Sequence, residues 1–310
     1  MRTCLAYVLT AAAATAAPPR TSPHILPSAT AAFKWARENL VHPSPGNNEG
    51  ACGWTRSTYA AGVWAYYAAT GDSDARDDLV RWGEQLNYSL CTTTGIWTTP
   101  CAFNTTASCA DNQLCAGTYI ELYTAGLDLP APRSLHTLRA ITDELQHEIA
   151  AGSVADGSWV KVDLTYMGMA PLSRLGAVTG DAAYFEKQWN NFNATMLAPL
   201  RPAAAGRPAT FNLFNLTDRL FYQRPQLVGT DQYWGRGNGW AMLGLIDALR
   251  FGDAAAVTGG VADAHRGDYI RIFQLFAARL LGLQGGDGEC ECERERGGSS
   301  RPGVLPCALG

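Results

Sequence analysis

The sequence predicts an all-α protein, and two observations carry that prediction. Alternation of apolar and polar residues at the period of a β-strand is almost absent, whereas apolar side chains recur at helical spacing. A helix, a Gly-Asp pair and another helix also recur, around Gly71, Gly180 and Gly252. Glycine is typical of helix ends, and aspartate is typical of the cap that starts the next helix. Helical hairpins that repeat in this way stack into an open solenoid or close into an α/α toroid.

The first four predicted helices lie in the N-terminal part of the chain. A proline-rich segment precedes the first, and a Pro-, Gly- and Asn-rich loop precedes the second, whose Tyr59, Val63 and Tyr66 share one face. Gly71 ends the second helix and Gly126 closes the fourth, which follows a polar loop rich in cysteine. These helices are predicted at residues 29–40, 57–69, 75–90 and 111–125.

The remaining predicted helices follow the same logic. The helix at 135–151 is amphipathic, and glycines mark three of the other ends, at Gly180, near Gly252 and at Gly285. These helices are predicted at residues 135–151, 163–178, 182–197, 238–250 and 269–283.

Both ends of the chain differ from the predicted helical domain at 18–285. Residues 1–17 have the pattern of a secretory signal peptide, with Arg2 as the positive start, an apolar run, and small residues at 14–16 for cleavage. Residues 286–310 are rich in Gly, Cys, Glu and Arg, so we expect a disordered tail or an aberrant coding end. The mature protein is therefore expected to be secreted and extracellular.

Sequons and cysteines agree with an exported protein. Disulfides are favoured over metal ligation outside the cell, and Cys91 and Cys101, which flank a turn-rich segment, form the best candidate pair. No histidine lies at zinc-ligand spacing from a cysteine, so no metal site is predicted. The candidate N-glycosylation sites are Asn87, Asn104, Asn193 and Asn215.

Composition and charge exclude several classes of function. The 310 residues carry a net charge of −4 without a long basic run, which argues against nucleic acid or an anionic membrane as the partner. No stretch after the leader is long and apolar enough to span a bilayer. Neither a G-x-S-x-G element nor a phosphate-binding loop occurs, so no nucleophilic triad and no nucleotide cofactor is predicted. No obligate protein partner is evident.

The segment 233–240, YWGRGNGW, has the composition of a binding site for an acidic sugar. The faces of Trp234 and Trp240 can stack on the apolar sides of a sugar, and the guanidinium of Arg236 can pair bidentately with a carboxylate. Three glycines let the backbone approach a ligand closely. The alternative is a glycine-rich turn between helices with tryptophans packed beneath it.

Two aspartates head predicted helices and are candidates for chemistry. Asp163 follows Trp159 amid apolar residues, so desolvation would raise its pKa while the helix dipole would lower it. A carboxyl balanced in this way can act as a general acid and then as a base. Asp111 opens another helix, and helix capping is the alternative for both residues. The pair Asp77-Asp78 is predicted to lie on a solvated helix surface.

Taken together, these motifs resemble the unsaturated glucuronyl and rhamnogalacturonyl hydrolases of glycoside hydrolase families 88 and 105, with closer likeness to family 105. The matching segments follow the family order over about 29–284, and W-x-R-G-N-G-W is the most specific of them. The segments are 57–59 with 69–72, 110–113 with 119–123, 159–167, 220–222 and 234–240.

The resemblance implies an (α/α)6 barrel without metal or organic cofactor. Its substrate would be an unsaturated uronic-acid oligosaccharide, from which the enzyme removes the 4,5-unsaturated uronate that pectin lyases leave on rhamnogalacturonan chains. The implied chemistry is hydration of the vinyl ether rather than ordinary glycosidic displacement, so the carboxylate-spacing rule does not apply. Asp163 matches the acid/base residue and Asp111 the second active-site aspartate. The residues expected to contact substrate are Trp159, Met167, Trp234, Arg236, Asn238 and Trp240.

The sequence departs from the family pattern at three places. Gln223 stands where many members carry His or Arg, and Asn112 where a second Asp is common. The family also continues with further helices after 283, so we expect a barrel that is incomplete at its C-terminus. The alternative function is therefore an inactive or saccharide-binding truncated relic. A different α/α-barrel enzyme, an α-1,6-mannanase, would use adjacent aspartates such as Asp77-Asp78, and ranks lower.

Overall fold

The computed structural model describes residues 25–39, 54–86, 88, 91–92, 95–96, 109–127, 161–199, 211–257 and 261–283. These residues are mostly helical, as predicted, and the chain divides into two compact units, Met1–Ala150 and Ala151–Gly310. The predicted leader, the predicted helix at 135–151 and the predicted tail lie outside the described residues. None of the described helices is long and apolar enough to cross a membrane.

The N-terminal unit contains four described helices, and the second of them, Trp54–Thr70, packs against each of the other three. A short antiparallel pair, β1 and β2, follows α3, and Tyr119 on α4 packs against the ring of Trp82 at a centroid distance of 5.0 Å. The elements are α1 (Ile25–Asn39), α2 (Trp54–Thr70), α3 (Ser73–Gln85), β1 (Cys91–Thr92), β2 (Gly95–Ile96) and α4 (Cys109–Thr124).

The Gly-Asp junction between α2 and α3 is formed as the sequence predicts. Gly71 has a φ of 70°, the left-handed conformation that glycine adopts without steric cost. Asp72 caps α3 by accepting a hydrogen bond of 3.1 Å from the backbone N–H of Ala75. Gly180 and Asp181 repeat this arrangement in the C-terminal unit, with φ of 69° and a cap bond of 2.9 Å.

The prediction that Asp77 and Asp78 are both solvated is wrong for Asp78. Its carboxylate is only 8% exposed and pairs with Arg37 and Arg81, each at 3.1 Å. Asp77 is 52% exposed. The helical period places the two neighbours on different faces of α3, and only Asp78 faces Arg37 of α1.

The C-terminal unit alternates helices with a short hairpin. The helices Asp163–Thr179 and Gly235–Val257 pack against each other most extensively. The helix Ala182–Phe192 packs against the first of these, and the helix Arg266–Leu283 packs against the second. The elements are α5 (Asp163–Thr179), α6 (Ala182–Phe192), a π-helix (Asn193–Leu197), β3 (Phe214–Asn215), β4 (Leu220–Phe221), a 3-10 turn (Pro225–Leu227), α7 (Gly235–Val257) and α8 (Arg266–Leu283).

Helices α5 and α7 run parallel and approach closely. A β-carbon on Gly244 would lie 2.7 Å from the carbonyl oxygen of Thr165, so glycine is needed at this crossing. Further along both helices, Arg174 pairs with Asp247 at 2.8 Å, and both side chains are about nine-tenths buried. Because the helices are parallel, their N-termini lie at the same end of the unit.

Both predicted ends of α7 are wrong. The helix begins three residues earlier than predicted, because the N–H of Asn238 already donates to the carbonyl of Trp234 at 3.1 Å. It also continues through Gly252 to Val257 rather than stopping. A β-carbon on Gly252 would lie 2.9 Å from Cβ of Asp263, so this glycine allows close packing inside a helix and does not end it.

Candidate active site

Asp163 is the first residue of α5, where its carboxyl is half-buried. Its Oδ2 atom is buried and has no hydrogen-bond partner among the described residues. Burial raises the pKa of Asp163 above its ordinary value of 3.8, and a backbone hydrogen bond together with the charges of Lys161 and Arg236 opposes that rise only in part. The N-cap position belongs to Val162, so helix capping does not account for Asp163.

Trp234 and Arg236 stand together at the start of α7. The guanidinium carbon of Arg236 lies 4.3 Å from the centre of the Trp234 ring, in cation–π contact. Arg236 is exposed and Trp234 is half-buried. This stacking presents a cation in front of an aromatic ring, on the side of the unit that also carries Asp163.

Gly237 explains how the two helix starts meet. A β-carbon at this position would lie 2.6 Å from the Trp234 ring and 2.6 Å from a methyl group of Val162, the residue before Asp163. Such distances are impossible for real atoms, so only glycine allows Trp234 to pack over the start of α5. The central glycine of the W-x-R-G-N-G-W motif therefore lets the Trp234 ring lie close to Val162, the residue before Asp163.

Asn238 is buried, and its described contacts are with the backbone of the hairpin and of α7. Its Oδ1 accepts from the N–H of Phe221 at 2.9 Å, and its Nδ2 donates to the carbonyls of Phe221 at 2.9 Å and Trp234 at 3.1 Å. These hydrogen bonds connect β4 to the first turn of α7. The structure thus gives Asn238 a positioning role, and its contact with substrate stays a prediction.

Trp240 and Met167 are both buried in the C-terminal unit. The indole of Trp240 stacks on the ring of Tyr166 with centroids 5.5 Å apart and planes 5° from parallel. Met167 lies one turn after Asp163 on α5 and is 2% exposed. Both side chains therefore belong to the core of this unit, and direct sugar contact by either one stays a prediction.

A polar cluster beside this site was not predicted from the sequence. Asn215, Asp218, Tyr222 and Tyr233 share hydrogen bonds, and the rings of Tyr222 and Tyr233 stack at 4.9 Å. Burial, followed by the hydrogen bond to Asp218, raises the pKa of Tyr233, so its phenol stays protonated. The N-L-T-D turn at 215–218 was the available signal, because Asn at such a turn bonds its own backbone.

The structure does not test the remaining predicted residues as parts of this site. Asp111 lies on α4 of the N-terminal unit, which begins at Cys109, and its side chain is outside the description. Asn193 is in the π-helix, and the hydroxyl-bearing Thr195 of its sequon is fully buried. Cys91 lies in β1, although its side chain is not described. Trp159, Cys101, Asn87 and Asn104 lie outside the described residues.

Two solved structures share the fold of this chain. A solved structure described as a polysaccharide lyase superposes with a TM-score of 0.62 at 17% identity, over 92% of this chain and 69% of that chain. A glycosyl hydrolase family 88 protein from Bacteroides vulgatus superposes with a TM-score of 0.62 at 19% identity, over 86% of this chain and 70% of that chain. These identities establish a shared fold only.

The family assignment comes from the sequence profile. No curated protein matches the chain. The family model for Glycosyl Hydrolase Family 88 matches residues 30–289, which include both helix starts described above. That match covers most of the chain, so it assigns the family where the structural likeness assigns only the fold. The protein therefore belongs to glycosyl hydrolase family 88.

Proposed function

We propose that this protein removes the 4,5-unsaturated uronic acid from the non-reducing end of lyase-generated oligosaccharides, with rhamnogalacturonan fragments of pectin as its substrates. The observation that carries the proposal is the Asp163 carboxyl, buried at one oxygen, beside an exposed Arg236 on Trp234. A proton donor next to a cation suits a substrate that carries a carboxylate and an electron-rich double bond. Membership of family 88 and the resemblance to family 105 hydrolases support the same reaction.

Asp163 acts first as an acid in this proposal. Burial raises its pKa, which keeps a larger fraction of the carboxyl protonated than at an ordinary aspartate. The proton goes to C4 of the sugar, and the ring oxygen stabilises the positive charge that forms at C5. Water then adds at C5 and returns a proton to the Asp163 carboxylate. The resulting C5 hemiketal opens the ring, and the hemiacetal at C1 releases the remaining sugar.

The start of α7 provides the binding side. Arg236 can pair with the uronate carboxylate through two N–H donors. Two parallel helices begin at this end of the unit, and the positive ends of their dipoles favour an anion there. Trp234 holds the guanidinium by stacking, so the cation keeps its direction when the substrate is absent.

The test follows the absorbance of the conjugated uronate. Mixing the purified protein with rhamnogalacturonan oligosaccharides from a lyase should remove this absorbance, and Asp163→Asn should slow the loss by about 10²–10⁴-fold because the acid is removed. Asp231→Asn, at an exposed carboxyl near the same segment, is the matched control and should retain the rate. Unchanged absorbance with a well-folded sample would overturn the proposal.

The choice of pectin is tested separately with a second substrate. Unsaturated disaccharides from glycosaminoglycans carry the same uronate on a different sugar. A kcat/KM that favours the rhamnogalacturonan disaccharide supports the proposed substrate class. A preference for the glycosaminoglycan product would keep the reaction and overturn the pectin assignment.

A further inference from the structure

Asn215 is the centre of the polar cluster next to the proposed site. Its Nδ2 lies 2.8 Å from the hydroxyl of Tyr233, 2.9 Å from that of Tyr222 and 3.0 Å from Oδ2 of Asp218. Its Oδ1 accepts from the N–H groups of Thr217 at 2.8 Å and Asp218 at 3.1 Å. The hydroxyl of Tyr233 in turn donates to Asp218. Both ends of the Asn215 amide are therefore occupied.

The cluster is connected to both sides of the site through short lengths of chain. Tyr233 directly precedes Trp234, which carries the stacked Arg236. Tyr222 directly precedes Gln223, whose carbonyl accepts from the N–H of Val162 at 3.0 Å, next to Asp163. The Asn215 amide is thus hydrogen-bonded to Tyr233, which lies next to Trp234, and to Tyr222, whose neighbour Gln223 bonds the residue before Asp163.

The hairpin that carries Asn215 is itself firmly held. The ring of Phe221 in this hairpin packs edge-on against the ring of Phe276 in α8, with centroids 5.0 Å apart. The backbone N–H of Phe221 donates a hydrogen bond to Asn238. At its tip, the N–H of Arg219 donates to the carbonyl of Asn215 at 2.7 Å, and Arg219 adopts a φ of 57°. Because the hairpin is held in this way, a change at Asn215 is expected to shift Tyr222 and Tyr233, which its amide bonds.

Asn215 is also the first residue of the sequon Asn215-Leu216-Thr217. N-glycosylation replaces one of the two amide hydrogens, so a glycosylated Asn215 has one N–H for three neighbouring acceptors. The atom that would carry the glycan is the same Nδ2 that bonds the hydroxyls of Tyr222 and Tyr233 and the carboxylate of Asp218. A glycan on Asn215 would therefore remove hydrogen bonds from Nδ2 that hold the cluster together.

We propose that Asn215 is a positioning residue that holds the Trp234–Arg236 pair against Asp163, and that it is unglycosylated in the folded enzyme. The first half rests on the proposed function, and the second half does not. Asn215 does not touch the reacting atoms. It acts through Tyr233 and Tyr222, so its loss is expected to weaken substrate binding.

The variants separate the amide from the sequon. Asn215→Asp keeps Oδ1 and the turn but loses the Nδ2 donors. Thr217→Val removes the sequon and keeps the cluster, because Thr217 contributes only its backbone N–H. Asn215→Asp should raise KM for the unsaturated disaccharide about tenfold, the loss of roughly one buried hydrogen bond, with kcat less affected. Thr217→Val should leave KM unchanged. A merely structural role would lower the melting temperature and leave the KM of the folded protein unaltered.

Equilibrium binding keeps the two proposals apart. Asp163→Asn, with and without Asn215→Asp, is titrated with the same disaccharide by calorimetry. A Kd about tenfold weaker in the double variant is expected. An unchanged Kd would overturn the positioning role alone, whereas tight binding without turnover by the wild type would overturn the proposed reaction alone. A parent that does not bind the disaccharide overturns both.

Mass spectrometry tests whether Asn215 is glycosylated. Wild type and Thr217→Val are expressed in a eukaryotic secretory host, and the peptide that contains Asn215 is analysed from folded, secreted protein. We expect the unmodified peptide in both. A glycan on Asn215 in folded, secreted wild-type protein would overturn this half of the inference.

Discussion

Asp163 shows how the surroundings of one side chain shift its pKa. The positive end of α5, Lys161 and Arg236 all favour the ionised form, and its own backbone N–H adds to them. Burial opposes them and is the largest cause, so the pKa is raised. The balance matters because a carboxyl that is stabilised fully as an anion would be a poor proton donor.

This balance predicts a change in stability with pH. The unfolded Asp163 titrates near its ordinary 3.8, and the folded carboxyl titrates higher, so the folded state binds more protons between the two values. Stability is therefore lost as pH rises through this window. Asp163→Asn should unfold at a higher denaturant concentration than wild type at pH 7, and the advantage should vanish below pH 4.

The control for this effect is Asp231→Asn, whose carboxyl is exposed. That variant should track wild type at both pH values. A variant at Asp163 that is less stable than wild type at pH 7 would show that the carboxylate is stabilised in the folded state, contrary to the raised pKa.

At the scale of the element, α7 uses glycines for close approach. The absence of a β-carbon at Gly237 leaves room for the side chains of Trp234 and Val162. In the same way, Gly244 leaves room for the backbone of α5, and Gly252 leaves room for the side chain of Asp263. In a sequence, the missing side chain of glycine indicates a helix end and a close contact equally well. This ambiguity made the predicted end at Gly252 wrong, whereas the predicted ends at Gly71 and Gly180 are correct.

Substitution within α7 distinguishes these roles. Gly244→Ala should destabilise the protein by about 1–3 kcal/mol, because the new β-carbon meets the carbonyl oxygen of Thr165, a backbone atom that cannot rotate away. Gly239→Ala has open space around its β-carbon in the same helix and should be neutral or stabilise by about 0.5–1 kcal/mol. Urea unfolding of both variants measures the difference. Equal stabilities would mean that the two helices can move apart at little cost.

At the scale of the whole molecule, the family assignment and the proposed route out of the cell rest on different parts of the chain. The family match lies within residues 30–289. Secretion rests on residues 1–17 and on the sequons, and it remains a proposal. A lyase product such as an unsaturated pectin fragment arises outside the producing cell when the lyase is secreted, which makes an extracellular hydrolase a consistent partner in that chemistry.

Expression of the full chain in a eukaryotic secretory host tests this proposal. The protein should appear in the medium with its leader removed, because the apolar run after Arg2 directs export and the small residues at 14–16 fit a signal peptidase. Leu9→Arg places a charge in the middle of the apolar run and should keep the protein inside the cell. Secretion of this variant, or an uncut N-terminus in the medium, would contradict the assignment.

The sequence alone determined the helical class, the approximate positions of the described helices, the Gly-Asp junctions at Gly71 and Gly180, and the family motif with Asp163. These features are local, since periodicity, capping and motif spacing are encoded by residues close together in the chain. Tertiary structure decided the raised pKa of Asp163, the packing role of Gly252 and the cluster around Asn215. Each depends on burial or on partners from another segment, and Tyr233 lies 18 positions from Asn215. Local patterns do not specify which distant segments meet, so the sequon at Asn215 gives no sign that its amide is hydrogen-bonded to Tyr222 and Tyr233.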